Sequence, residues 1–389
     1  MIPLRKKLFW ISLLYFAEGL PLGIVYDVLP VYFRQHQVSL KEIGFMFFLT
    51  LPWAIKVFWS PLVDRLGRYQ NWISVCLLGL GVWVISIPFF DPSHPALPLW
   101  TVLLLFSLTS ATQDIAIDAY SIGLVEKGEE GVVNGFRVSL YRIALMAGGG
   151  GTMFLVRPLG WQAIYFLLGG TFLLMALVTR LLPQIEVTRQ TGHEWKEQFL
   201  KFITRSGAIP VFLFILTYKM GDLLMGPMVK PFWVDRGMTP EEIGAISTIG
   251  GALMTIVGAM IGGVFTSRYG IFRGLWVLGI TQAISNLNYG AVAALNLPKM
   301  FLYGASLFES FTGGLGTAAF LAFLMRICEK SQAATQYALL SALFGLTRFF
   351  GGWSGLAVES LGYSNFFFLT FLFAFPSYLF LPWARRWLR

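Results

Sequence analysis

The chain has 389 residues, of which 56% are hydrophobic and only 13% charged, with a formal net charge of +9. A soluble domain carries about 25% charged residues, so this composition excludes a soluble enzyme, a secreted disulfide scaffold and a disordered tail. Apolar runs of roughly 20 residues recur from end to end, the length that crosses a bilayer core of about 30 Å, so the expectation is an all-α polytopic membrane protein. The positive charge does not point to nucleic acid. Lys and Arg punctuate the apolar runs instead of clustering, as the positive-inside bias requires. Cys76 and Cys328 lie in or near apolar runs and read as free buried thiols.

Twelve helices are predicted, over 8–33, 41–63, 72–90, 98–124, 132–156, 160–182, 207–233, 241–266, 274–295, 299–327, 333–357 and 363–384. The first run is too long for the apolar part of a cleaved signal and contains Glu18 and Asp27, so it reads as a retained span. The second is opened by Ser39-Leu40-Lys41-Glu42, a capping box. Connections are short except between spans six and seven. There a polar stretch with Glu186, Arg189, Glu194, Lys196, Glu197, Lys201 and Arg205 divides the chain. The expected domains are a six-helix bundle over 1–183, a cytoplasmic linker over 184–206 and a second six-helix bundle over 207–389. With both termini inside, 19 of the 29 basic residues fall in inner segments and 5 in outer ones. The bias predicts N-in, C-in.

The halves repeat. At an offset of 200, Ser39-Leu40-Lys41-Glu42-Ile43-Gly44 aligns with Thr239-Pro240-Glu241-Glu242-Ile243-Gly244. At 203, Arg65 aligns with Arg268, Gly67 with Gly270, Glu126-Lys127 with Glu329-Lys330 and Gly148-Gly149 with Gly351-Gly352. Six spans is an even number, so the repeats enter the membrane from the same side. That relation puts a pseudo-twofold axis along the membrane normal, as in major facilitator transporters, with substrate bound at the midplane between halves.

Ionisable side chains inside the bilayer cost about 2.5–3.5 kcal/mol each on insertion scales and default to function. The acids are Glu18, Asp27, Asp114, Asp118, Asp222 and Glu309; the bases are Lys56, Arg142, Lys219, Lys230 and Arg348. Their near balance suggests pairing around a wet interior. Asp114 and Asp118, four apart, share one helix face. Two carboxylates so close do not both ionise cheaply without a facing cation. They are the candidate proton-coupling pair, with Arg142 or Lys219 as partner; a permanent ion pair is the alternative. Glu18, Trp53, Lys56, Gln113, Arg142, Tyr218, Lys219, Asp222, Glu309, Gln336 and Arg348 are candidates for the substrate cavity. Within these, Lys219 with Asp222 and Glu309 with Arg348 are possible ion pairs, and Trp53 and Tyr218 are candidates to stack on a sugar ring. No catalytic residue, cofactor or metal is expected. His36, His94 and His193 all fall in loops, no phosphate-binding motif follows a strand, and the glycine clusters at 148–151 and 313–316 sit inside apolar spans. Small residues there let helices approach closely. Gly149 and Gly314 are therefore gating candidates, together with Asp64 and Arg65 in the Ser60–Arg68 stretch that closes span two. That stretch resembles the acidic-basic loop of major facilitator proteins, with Ser60 in place of the leading glycine. In the second half Ser267 stands where Asp64 does in the first.

Six stretches carry a wider likeness: GLPLG at 19–23, KVFWSPLVDR at 56–65, TQDIAIDAY at 112–120, YKMGD at 218–222, FESFTGGLGTAAFLAFLM at 308–325 and SQAATQYALLSAL at 331–343. On these the chain resembles the AmpG-type muropeptide permeases, with acetyl-coenzyme A transporters and some siderophore permeases as cousins. The resemblance implies proton-driven import of N-acetylglucosaminyl-anhydromuramyl peptides across the bacterial inner membrane, by a monomer. Its motif positions fall on Asp114, Asp118, Lys219, Asp222 and Glu309. Longer members carry about two extra hydrophobic segments not found here. Two other readings are a carrier of another amphipathic anion, such as a siderophore or acetyl-coenzyme A, and a non-transporting membrane receptor or enzyme on the same fold.

Overall fold

The computed structural model describes residues 2–125, 130–184, 204–327 and 333–388. Cys328, the Glu126-Lys127 and Glu329-Lys330 matches and most of the expected linker lie outside them, as do the side chains of Asp64, Arg65 and Gln336. Every regular element among the described residues is helical. In chain order the main helices are α1 (Leu4–Gly23), α2 (Leu40–Phe45), α3 (Leu51–Ile55), α4 (Ser60–Arg65), α5 (Tyr69–Ser86), α6 (Leu97–Leu124), α7 (Glu130–Met146) and α8 (Thr152–Thr179). They continue as α9 (Ala208–Thr217), α10 (Met220–Asp235), α11 (Gly251–Tyr269), α12 (Ile271–Ala294), α13 (Lys299–Ile327), α14 (Ala333–Leu346), α15 (Ser354–Leu372) and α16 (Pro376–Trp387).

Among the described residues, eight helical runs are long and apolar enough to cross a membrane. Two of them, Ser139–Thr179 and Ser354–Trp387, each contain a glycine at positive φ, Gly160 at 78° and Gly362 at 75°, where two helices meet. A residue with a Cβ is strained at that φ. The helix starts follow their capping residues. The Ser39 hydroxyl accepts the Glu42 N–H at 3.2 Å. At Thr239 the box is complete: Glu242 N–H donates to Thr239 Oγ1 at 3.2 Å and Thr239 N–H donates to the Glu242 carboxylate at 2.7 Å, with Pro240 leading the helix.

The second predicted span is not one regular helix. It runs α2, a 3₁₀ stretch at Met46–Thr50, α3, a second 3₁₀ turn at Lys56–Phe58, and α4. Pro52 has no N–H to give the Phe48 carbonyl, which instead takes the N–H of Leu51. Wider π turns at Ile24–Val28, Ala147–Gly151 and Ile243–Gly250 interrupt three other runs. Such bulges concentrate at functional sites.

The chain forms two compact units. The first comprises Met1–Val38, Ile55–Gln190 and Met238–Ala245; the second comprises Ser39–Ala54, Thr191–Gly237 and Ile246–Arg389. The short pieces are held by glycines. Within the second unit a Cβ on Gly44 would stand 2.7 Å from the Gly355 nitrogen and 3.0 Å from the Gly352 carbonyl. Within the first, one on Gly244 would stand 2.6 Å from the Gly150 carbonyl and 3.1 Å from Met153 Cβ. The sequence repeat at offset 200 thus recurs as a repeated backbone-to-backbone contact. α11 and α13 touch in the same manner: Gly262 lies on the Leu315 carbonyl, and Gly314 on the Thr255 carbonyl and the Ala259 nitrogen. The apolar core of the second unit includes Phe214, Tyr218, Phe320, Phe323 and Trp387. In the first unit Cys76 is a buried free thiol.

Candidate functional site

Tyr15 and Glu18 are three residues apart on α1, hence on one face. Gly19 fixes how near that face comes to α7. A Cβ there would stand 2.5 Å from the Tyr141 carbonyl and 2.8 Å from Ala144 Cβ. Asp114 and Asp118 share a face of α6, and oxygens of Glu18, Asp114 and Asp118 lie within 4.8 Å of one another. Two cations enter this acid cluster from other elements. Lys56, on the second 3₁₀ turn, forms an ion pair with Asp114. Trp59 helps fix that turn by donating its indole N–H to Thr112 at 3.2 Å. Arg137, on α7, donates to Asp118 Oδ1 at 2.6 Å, and its guanidinium lies 4.5 Å from the Tyr15 ring centroid. The Tyr15 hydroxyl donates to the same oxygen at 2.6 Å. The cluster is graded in wetness: the Asp114 side chain is 12% exposed and that of Asp118 36%. Glu18 is buried, and its Oε2 has no hydrogen-bond partner.

The second unit carries its own polar cluster. The chain breaks between α9 and α10, and Lys219 caps α10 from the break. Its ammonium, buried, donates to Gln282 Oε1 at 2.6 Å and to the Gly313 carbonyl at 3.2 Å, and lies 3.6 Å from Asp222. Glu309 accepts from the Ser310 hydroxyl at 3.4 Å. Lys230 donates to Ser247 and Thr248, on the Ile243–Gly250 π turn, at 2.8 and 2.9 Å.

The structure therefore brings Glu18, Lys56, Asp114 and Asp118 together in the first unit, and Lys219 and Asp222 in the second. Arg142 is not part of the acid cluster. It is exposed on α7, and the cation at Asp118 is Arg137. Five residues along a helix turn through about 140°, so Arg137 and Arg142 face different ways. Lys219 serves the second unit's cluster. Gln113 is fully buried on α6. Tyr218 packs into the second unit's apolar core, stacked on Phe320 with ring centroids 5.2 Å apart, its hydroxyl donating to the Leu275 carbonyl at 3.0 Å. Trp53 is half-buried on α3, and Arg348 half-buried in the short helix Arg348–Gly351. Gly149 faces the Asp27 carboxylate, and Gly314 lies in the α11–α13 seam. Sequence reasoning missed Arg137, which enters there only among the 19 inner basic residues, and the part played by Tyr15. The signal for Arg137 was its place inside the predicted fifth span.

The sequence profile of the Major Facilitator Superfamily matches residues 11–220. Over 383 residues the chain is 31% identical to the anhydromuropeptide permease of Escherichia coli (strain K12), covering 95% of this chain and 78% of that one. The chain belongs to the AmpG family of the major facilitator superfamily. It is also 27% identical over 393 residues to a putative transporter, AmpG 4, of Rickettsia conorii, covering 95% and 94%. Its fold matches that of solved transporters. A bacterial homologue of the human lysosomal transporter Spinster aligns over 100% of this chain and 98% of its own with a TM-score of 0.81 at 14% identity. The nucleoside transporter NupG aligns over 100% of both chains with a TM-score of 0.74 at 14% identity. This AmpG-family chain is an integral membrane protein whose relatives are permeases and transporters, not enzymes.

Proposed function

We propose that this chain is a proton-coupled secondary transporter that imports N-acetylglucosaminyl-anhydromuramyl peptides across the bacterial inner membrane by alternating access. It works as a monomer of twelve spans in two pseudo-symmetric halves, 1–183 and 207–389, joined by a cytoplasmic linker over 184–206, with both termini cytoplasmic. The observation that carries the substrate is the near full-length similarity to a protein named as an anhydromuropeptide permease. Five ionisable side chains drawn from α1, α6, α7 and the Lys56 turn support the coupling, because buried charges of this kind mark ion and proton pathways.

In this reading the coupling site is built on Asp114 and Asp118. Glu18, Lys56, Lys219, Asp222, Glu309 and Arg348 present charge to a sugar-peptide that itself carries charged groups. Trp53, Gln113, Arg142, Tyr218 and Gln336 complete the candidate cavity set. Asp64, Arg65, Gly149 and Gly314 belong to the gates. Uptake of labelled anhydromuropeptide into proteoliposomes tests the whole. An inward proton gradient is expected to drive accumulation, and dissipating it to stop accumulation. Uptake of a siderophore or an acyl-coenzyme A in place of the anhydromuropeptide would move the chain to another amphipathic anion.

A further inference from the structure

Among the described residues the first unit's cluster holds three carboxylates and two cations. Each cation is committed. Lys56 pairs with Asp114, and Arg137 with Asp118, which also receives the Tyr15 hydroxyl. Glu18 is the remainder. It is buried, its Oε2 has no hydrogen-bond partner, and the nearby phenol is spent on Asp118. The charged and titratable groups around it are Tyr15 on its own helix, Asp114 and Asp118 on α6, Lys56 on the 3₁₀ turn and Arg137 on α7. Gly19 seats this part of α1 on α7, with no space for a side chain between the backbones.

A carboxylate buried with one oxygen unpartnered and two other carboxylates beside it is costly to ionise. One proton removes the cost and leaves two negative groups facing two positive ones. We infer that Glu18 is the group that carries the transported proton, while Asp114 and Asp118 stay ionised as the counter-ions of Lys56 and Arg137. This rests on the proton-driven reading above and moves the protonated group of its coupling site from the two aspartates to the neighbouring Glu18. The step balances simply: the Glu18 carboxyl gives its proton to water and becomes a carboxylate, and it regains one from water on the other side. In the protonated form its O–H has the Asp114 carboxylate as acceptor. Once ionised, Glu18 competes with Asp114 for Lys56. Release of the proton therefore pulls on the 3₁₀ turn that carries Lys56, which ties protonation to the shape of a broken helix.

Two measurements test this. The first needs no substrate: the infrared carbonyl stretch of a protonated carboxylic acid in the purified protein at neutral pH. Glu18 is expected to give one component of this band in the wild type, lost in Glu18→Gln and displaced in Glu18→Asp. The second is transport in proteoliposomes. One proton per substrate sustains a roughly tenfold gradient per pH unit. Glu18→Gln is expected to lose that accumulation, and Glu18→Asp to restore it. A band that survives unchanged in Glu18→Gln, or wild-type accumulation in that variant, overturns the assignment. So does accumulation that follows a sodium gradient and not a proton gradient. If Glu18→Gln does not fold, the displacement of the band in Glu18→Asp decides. If the wild type takes up no anhydromuropeptide, the substrate reading fails while the infrared band still decides Glu18.

Discussion

At the scale of single residues, the acid cluster balances only when its pairs are intact. Removing Lys56 leaves Asp114 buried without its cation, which costs several kcal/mol for a fully enclosed pair. Lys56 is 29% exposed in its side chain and Asp114 12%, so part of that cost is screened and about 1–3 kcal/mol remains. Lys56→Met is therefore expected to lower the thermal unfolding temperature in detergent, and Lys56→Met with Asp114→Leu to lower it less than Lys56→Met alone. Equal losses in the single and double variants would mean that the pair does not hold the cluster. Much of the cluster is legible in the sequence, because Glu18, Lys56, Asp114 and Asp118 interrupt apolar runs and the two aspartates have helical spacing. The partner of Asp118 is not. Arg137 lies inside the predicted fifth span but near its end, where it counts with the inner basic residues, and only the rotation of α7 reveals that it, and not Arg142, faces α6. The Tyr15 hydroxyl is equally hidden, since an aromatic residue in a span reads first as packing.

At the scale of elements, backbone contact through glycine recurs. Gly44 on Gly355 and Gly244 on Gly150 leave no space for a side chain. Overpacking at such contacts costs about 1–3 kcal/mol. Gly44→Val and Gly244→Val should each lower the unfolding temperature, and by similar amounts, because the contacts repeat. Gly263→Ala is the contrast: beyond its chain neighbours and its own helix backbone nothing lies within 4 Å of a Cβ there, and within α11 the change is expected to be neutral or to stabilise by about 0.5–1 kcal/mol. Thermal melts of the three purified variants check both expectations. The glycine clusters and both capping boxes are visible in the sequence. The 3₁₀ and π interruptions are not, because the apolar pattern continues unbroken through them. Pro52 alone marks the break ahead of Lys56, and it does so only once the N–H that it cannot give the Phe48 carbonyl is considered.

At the scale of the whole molecule, the strongest constraint is that an unbroken apolar run must span and a polar turn must face water. Applied to this chain it predicts alternating sides for successive turns. Gln37, Ser93 and Asn296 are exposed residues in turns that follow odd-numbered predicted spans, whereas Arg68 and Gly270 lie in turns that follow even-numbered ones. The two left-handed glycines within the longest helical runs, Gly160 and Gly362, sit at the proposed turns between predicted spans five and six and between eleven and twelve. The proposed orientation places the segments that hold 19 of the 29 basic residues on the cytoplasmic side and those that hold 5 on the other. Single cysteines can be placed at these positions in a background lacking Cys76 and Cys328. Those at 37, 93 and 296 are then expected to react with an impermeant maleimide on intact cells, and those at 68 and 270 only after the membrane is opened. A fluorescent protein fused to the C-terminus should mature, as it does in the cytoplasm. The inverted labelling pattern would reverse the orientation and leave the span count standing. Labels at 37 and 93 on opposite sides would remove or add a crossing within the first unit, placing Lys56 and Asp114 at membrane depths that no longer permit the coupling proposed for them.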